Sequence, residues 1–225
     1  MRALIVTGGF VDDRFTLDYI RRETYDIAIA VDRGLGFFQR TGLRPDYIVG
    51  DFDSVEDSVL DFYVESAEKT ERPQIIRLNP MKDDTDTEHA LCMALDMGCD
   101  SIHIFGATGT RLDHVLGNLQ LLGYALRQQK ECMLIDPHNR IRLIDHETLL
   151  RKEEQFGSYV SLIPYTPTVT GLTLTGFVYP LHKHTMSSFY MEGASNISGI
   201  SNEIDKPEAV ISLESGILVL VEARD

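Results

Sequence analysis

The 225-residue chain has no tryptophan, only three cysteines, and far fewer cations than acids, with 21 Lys and Arg against 35 Asp and Glu and a formal net charge of -14. Without tryptophan, any aromatic stacking on a ligand has to come from tyrosine or phenylalanine. Cys92, Cys99 and Cys132 are odd in number and spaced unlike a zinc or redox motif. That pattern argues against a disulfide framework or a metal finger and leaves buried, reduced thiols as the expectation. The deficit of Lys and Arg argues against a nucleic-acid partner, because duplex binding draws most of its affinity from cations that neutralise phosphates. An acidic surface serves solubility and is compatible with a cationic small substrate. No apolar run approaches the roughly 20 residues that a membrane span needs. Met1-Arg2-Ala3 leads straight into an apolar run with no signal-peptide layout, so the chain reads as cytoplasmic. Internal repeats and low-complexity segments are also missing.

Short apolar runs are plentiful in the first 137 residues: Ala3 to Thr7, Ile27 to Val31, Tyr47 to Val49, Ile75 to Leu78 and Ile102 to Phe105. Runs of this kind suit strands buried on both faces of a parallel sheet. Between them come helix starts in which a hydroxyl is followed three residues later by an acid: Ser54 to Asp57, Thr85 to Glu88 and Thr110 to Asp113. After Thr110, Leu112, Val115, Leu116, Leu119, Leu122, Ala125 and Leu126 repeat at helical spacing. Strand and helix therefore alternate as βα units of a mostly parallel sheet with flanking helices. Past Pro137 helical periodicity fades, and short β-rich runs take over: Ile141 to Ile144, Tyr159 to Ile163, Gly171 to Leu174, Ser188 to Met191, Ala209 to Leu213 and Leu218 to Val221. Pro164, Pro167, Gly176, Pro180, Gly193, Gly199 and Pro207 punctuate them. The expected architecture is an α/β domain over 1–137 and an all-β, sandwich-like domain over 138–225.

In an open α/β sheet the loops at the carboxyl ends of the strands gather along one rim, so distant residues can face one ligand. Three of these loops carry chemistry. Asp51-Phe52-Asp53 could present two acids on one side of an extended backbone to a hard cation; the alternative is a solvated turn in which Asp53 or Ser54 caps the next helix. Asp83, Asp84 and Asp86 crowd into four residues, and a bound cation would relieve their repulsion, although Asp86 also suits a helix N-terminus on dipole grounds alone. Gly106 to His114 combines glycines, a helix start and Arg111, the parts of an anion cradle, yet matches neither a P-loop nor a dinucleotide fingerprint. Asp113 could be only a capping acid, and His114 and Asn118 only packed helix residues. Together the loops are the parts of a magnesium-nucleotide site and point to phosphoryl or nucleotidyl chemistry without naming an acceptor. His182 and His184 sit two apart without a further clustered ligand and read as ordinary strand residues.

The ordered set Asp32-Arg33-Gly34, Gly50-Asp51-Phe52-Asp53-Ser54, Lys82-Asp83-Asp84-Thr85-Asp86 and Gly106 to Asn118 resembles the thiamine pyrophosphokinase family. Gly176-Phe177-Val178-Tyr179-Pro180-Leu181 and Gly199-Ile200-Ser201-Asn202-Glu203 are similar to its C-terminal motifs, so the likeness covers essentially the whole chain. The resemblance implies transfer of the diphosphoryl group of ATP to the hydroxyl of thiamine, release of AMP, and magnesium as cofactor. It implies a homodimer whose active sites lie between the α/β domain of one subunit and the β domain of the other. By the same resemblance Asp51, Asp53 and Asp86 would hold magnesium, and with Asp83 they form the catalytic acids. Asp83 or Asp86 would accept the hydroxyl proton. Asp32, Lys82, Thr108, Arg111, Asp113 and His114 would contact ATP, and Ser201 and Asn202 would line the thiamine pocket. A pyrophosphokinase for another alcohol, such as a hydroxymethyl pterin, and a non-catalytic nucleotide-binding regulatory module are the alternatives.

Overall fold

Alternation of apolar runs with amphipathic helices produces a parallel α/β sheet in the computed structural model, which describes residues 1–53, 55–79, 81, 84–109, 111–189 and 199–225. The chain divides into two compact units, Met1–Pro137 and His138–Asp225. In the first, β1 (Arg2–Val6), α1 (Asp13–Ile20), β2 (Ile27–Val31), α2 (Leu35–Thr41), β3 (Tyr47–Gly50), α3 (Asp57–Thr70), β4 (Gln74–Arg77), α4 (Asp86–Asp96), β5 (Ser101–Phe105), α5 (Leu112–Arg127) and β6 (Glu131–Ile135) follow in order. The strands lie β6-β5-β1-β2-β3-β4, and every pairing among them is parallel. The chain leaves β1 in one direction towards β4, then crosses back to β5 and continues the other way. Right-handed crossovers running in opposite directions place their helices on opposite faces. In keeping with this, α1, α2 and α3 touch in series while α4 touches α5. Ile5, Ile29, Ile48, Ile102 and Ile104, all at 0% exposure, form the middle of this core.

The sixth parallel strand, β6, was not among the strands expected from the sequence; it starts at exposed Glu131 and its buried part, Cys132 to Ile135, is short and directly follows a helix. The helix starts also differ in part. Thr85 does cap α4, its hydroxyl accepting from the Glu88 amide at 3.1 Å. Ser54 and Thr110 lie outside the described residues, and the cap positions of α3 and α5 are Glu56 and Arg111, neither with a side-chain capping bond. Asp113 does not reach back to cap α5 because its carboxylate is drawn onto the Arg111 guanidinium. The three cysteines are free, Cys99 and Cys132 buried and Cys92 half-buried.

The second unit holds β7 (Asn139–Ile144), β8 (Thr148–Arg151), β9 (Tyr159–Pro164), β10 (Thr168–Thr175), β11 (Leu181–Ser187), β12 (Ile200–Asn202), β13 (Glu208–Ser212) and β14 (Leu218–Ala223). They form two antiparallel sheets, β12-β9-β14-β7 and β11-β10-β13-β8. Val160, Leu162, Leu218 and Leu220 from the first pack in one cluster with Leu172, Leu174, Met186 and Ile211 from the second, which makes the unit a sandwich. The strand expected over Ser188 to Met191 is not formed at its start: β11 ends at Ser187, Ser188 and Phe189 follow it outside any strand, and Tyr190 and Met191 lie outside the described residues. β8, β11 and β12 are edge strands with exposed polar residues, so they carry little of the apolar alternation by which strands are recognised. Among the described residues no helix is long and apolar enough to cross a membrane.

A charged pair locks the first sheet of the sandwich from within. Glu222 on β14 is 1% exposed and stands opposite Arg140 on β7. Arg140 donates to both of its oxygens at 2.9 and 2.7 Å, and the Phe156 amide adds a third bond at 3.3 Å. Removing one partner of a buried pair strands the other charge, so Glu222→Ala is expected to cost about 3 kcal/mol or more of stability in chemical denaturation; a loss below about 1 kcal/mol would show that the pair is not holding the sheet.

Candidate active site

Asp32, Asp51 and Asp86 stand after β2, after β3 and at the start of α4, and one carboxylate oxygen of each lies within 4.8 Å of the others. Local backbone geometry explains how three acids come so close. Asp32 opens a 3-10 turn, Asp32–Gly34, in the left-handed region at φ 46°, which swings its carboxylate over Gly50. A Cβ on Gly50 would collide with Asp32 Oδ1, so this position requires glycine. Asp51 follows directly, and its Oδ1 accepts the Asp53 amide at 3.0 Å. Phe52 between them is also left-handed, at φ 64°, and is 7% exposed, its ring under the Arg77 guanidinium 5.1 Å away. Asp86 is fixed by the helix it starts: Thr85 caps α4, and the Thr87 hydroxyl meets the Thr7 hydroxyl at the end of β1 at 2.8 Å, buried.

The triad differs from the metal set expected from the sequence, in which Asp53 stood where the structure has Asp32. Alternation would aim Asp51 and Asp53 the same way only along an extended backbone, and the left-handed Phe52 breaks that pattern. Asp53 is exposed and not part of the triad. Lys82 and Asp83 lie outside the described residues. Thr108 is half-buried in the loop after β5, while Arg111, Asp113 and His114 are exposed at the start of α5. Arg111 grips Asp113 with two bonds of 3.2 and 2.5 Å and holds that carboxyl down at about 2. Asn118 donates to the Ala107 carbonyl at 2.8 Å and so ties α5 to the preceding loop. In the sandwich, the two motifs singled out in the sequence meet. The Asn202 carboxamide, 3% exposed, accepts from the amides of Tyr179 and Glu203 at 3.1 and 2.9 Å and donates to the Tyr179 carbonyl at 2.7 Å. It braces the turn before β11, while Ser201 beside it stays exposed. Gly176, at φ 79°, lies so close to the Glu208 carbonyl that no other residue fits.

Asp32 titrates far from an ordinary carboxyl. Burial, a hydrogen bond with Asp86 and the charges of Asp86 and Asp51 push it up to about 8, against a smaller pull from the Phe52 amide. Its Oδ1 is buried without a hydrogen-bond partner among the described residues. A cluster of carboxylate oxygens with one orphaned acceptor fits a hard, oxygen-seeking cation such as magnesium. Among the described residues it is the one group of three such side chains, and His182 and His184 are not part of one. A pocket of about 490 Å³ lined by Phe38, Arg44, Tyr63 and Arg72 lies at the other end of β3, away from these acids.

Fold and site define a class: an α/β unit whose parallel sheet gathers a carboxylate triad and glycine-rich loops on one rim, followed in the chain by an antiparallel β sandwich. Residues 21–134 match the family model for the thiamin pyrophosphokinase catalytic domain, and residues 145–218 match that for the thiamin pyrophosphokinase vitamin B1 binding domain. The chain belongs to the thiamine pyrophosphokinase family. It is 32% identical over 203 residues to a thiamine pyrophosphokinase of Bacillus subtilis (strain 168), a match that covers 90% of each. The crystal structure of thiamine pyrophosphokinase from B. subtilis resembles it with a TM-score of 0.84 at 31% identity over 100% of both chains. That of thiamin pyrophosphokinase from Geobacillus thermodenitrificans does so at 0.81 and 32% identity, over 100% of this chain and 98% of the other.

The raised pKa of Asp32 fixes the sign of two pH effects. A cation must displace the proton, so affinity for Mg2+ is expected to climb as pH rises towards about 8, by up to about tenfold per pH unit, and to level off above it. Calorimetric titration across that range measures this, and a flat profile would refute it. In the metal-free chain the folded state binds the extra proton between the ordinary value of 3.8 and about 8, so this group's contribution to stability falls as pH rises through that window. Asp32→Asn tolerates the left-handed backbone and removes the charge. It should therefore raise the metal-free Tm near pH 8, by about 2–4 °C for each kcal/mol relieved, with little gain near pH 4.

Proposed function

We propose that the chain catalyses transfer of a diphosphoryl group from ATP to thiamine, with the α/β unit binding magnesium and nucleotide and the sandwich binding thiamine. The observation that carries this reading is the Asp32, Asp51 and Asp86 triad on the strand-end rim of a chain of this family. In the reaction the hydroxyl oxygen of thiamine attacks the β-phosphorus of ATP. A new P–O bond forms, the bond from the β-phosphorus to the oxygen bridging the α-phosphate breaks, and AMP leaves. Magnesium, when bound, neutralises phosphoryl oxygens and lowers the charge that the transition state has to spread. Asp51 and Asp86 would hold it, with Asp32 in its deprotonated form as the third ligand. Asp86 would accept the proton of the thiamine hydroxyl. Most of the rate enhancement comes from positioning and electrostatics, as the rigid setting of the three acids favours.

On the sandwich, Ser201 supplies an exposed hydroxyl within the region matched to vitamin B1 binding. Asn202 acts through the backbone, since its carboxamide makes three hydrogen bonds that hold the turn at Tyr179, and Tyr179 at 65% exposure offers an aromatic face in a chain that has no tryptophan. We further propose a homodimer in which each active site draws on both subunits.

Mass spectrometry of products from Mg-ATP and thiamine tests the activity. Equal amounts of AMP and thiamine diphosphate are expected, and neither without magnesium; AMP without a thiamine product would overturn the acceptor. Asp51→Asn should lose at least about 3 kcal/mol of transition-state stabilisation in kcat/KM. Asp53→Ala should lose less, and the reverse order would return Asp53 to the metal set. For the sandwich, Ser201→Ala should raise KM for thiamine with ATP unaffected. Asn202→Ala should also lower stability by about 1–3 kcal/mol, because it removes three part-buried hydrogen bonds to the backbone of Tyr179 and Glu203.

A further inference from the structure

We infer that Arg33 and the glycine-lined floor formed by the loops after β1 and β5 are the subsite that holds the triphosphate of the nucleotide. This deepens the reading above and rests on it for the identity of the ligand.

Strand order reverses at β1, which has β2 on one side and β5 on the other. In open α/β sheets ligands settle in the crevice at such a switch point, outside the carboxyl ends of the strands. Here the two diverging loops are bound together by glycines. The Gly9 amide donates to the Gly106 carbonyl at 3.0 Å, a Cβ on Gly9 would collide with that carbonyl, and a Cβ on Gly109 would meet Gly9 Cα at 3.9 Å. The result is a surface of bare backbone, open to the close approach that phosphate groups require.

Arg33 runs along the edge of this floor. A Cβ placed on Gly8 would lie 3.5 Å from Arg33 Cβ and 3.9 Å from its Nε. Its neighbour in sequence is Asp32 of the triad, so the guanidinium flanks the glycine floor while the acids occupy the β3 side. The other rim arginines are engaged: Arg77 stacks on Phe52 and Arg111 is held by Asp113. Arg33 is exposed and makes no ion pair among the described residues, which leaves its fork of donors for phosphoryl oxygens.

Binding of α,β-methylene ATP, which resists cleavage at the reacting bond, and of adenosine, which has no phosphates, tests this in the full chain with Mg2+. Arg33→Ala should weaken the analogue at least about tenfold and leave adenosine within about twofold. Arg33→Lys should recover only part of the loss, as a point charge replacing a fork would. Unchanged analogue affinity in Arg33→Ala would overturn the assignment, and so would equal weakening of analogue and adenosine, which marks a structural defect. Turnover of ATP and thiamine with Arg33-independent binding overturns this inference alone. Arg33-dependent triphosphate binding without a thiamine product upholds it and overturns the proposed acceptor.

Discussion

Three carboxylates within 4.8 Å of one another repel, and the α/β unit holds them together with backbone geometry that has few alternatives. At an effective dielectric of about 20, each fully charged pair at that separation opposes folding by on the order of 3 kcal/mol. Two non-glycine residues take left-handed conformations, one glycine gives up its side-chain space to an acid, and a buried pair of threonine hydroxyls pins the start of α4 to the end of β1. Without a cation the cluster lowers its own repulsion by keeping a proton on Asp32, whose pKa burial and the neighbouring acids push up to about 8. Strain and like charge collected at one place, on a scaffold that tolerates both, is the pattern of a binding site.

Much of the scaffold was legible in the sequence because βα units write it plainly. Apolar runs of three to five residues gave β1 to β5 to within a residue or two, and Thr85 with Glu88 marked the start of α4. The site was less legible. Asp51 and Asp86 stood out as acids at strand and helix ends, whereas the company Asp32 keeps depends on a left-handed φ that no spacing rule encodes in a non-glycine residue. The same limit keeps Asp53 apart from the cluster: a pattern of alternation is valid only while the backbone stays extended, and Phe52 turns it. Gly50 was the one visible clue, since a glycine at the end of a buried strand asks what approaches it.

The sandwich was legible in its central strands and poorly so at its edges, for one physical reason. Central strands carry the signal: β10 buries Val169, Leu172 and Leu174 between more exposed residues, and β14 buries the apolar run Leu218 to Leu220. β11 reads Leu-His-Lys-His-Thr-Met-Ser and buries only its end. Asn202 illustrates a different gap. A polar residue in a motif invites assignment to the ligand, and the structure adds what spacing does not show, a buried carboxamide turned towards Tyr179 and Glu203 that holds the turn. Ser201, its neighbour on an edge strand, points the other way and is exposed.

Charge balance joins the two kinds of residue at the rim. A triphosphate approaching three carboxylates on a chain of net charge -14 meets net repulsion, and screening confines that field to within about 8 Å at physiological salt. Capture must therefore rely on cations in contact with the phosphates. In the proposed complex a divalent ion held by the acids would meet part of this need on one side of the phosphate chain, and a guanidinium beside bare glycine backbone would meet more of it on the other. The same negative surroundings favour approach of a cationic co-substrate such as the thiazolium of thiamine. On the proposed reading, acids on one flank and an arginine on the other would select the metal complex of a nucleotide over the free nucleotide, because the acids would repel the latter and bind the former through its metal.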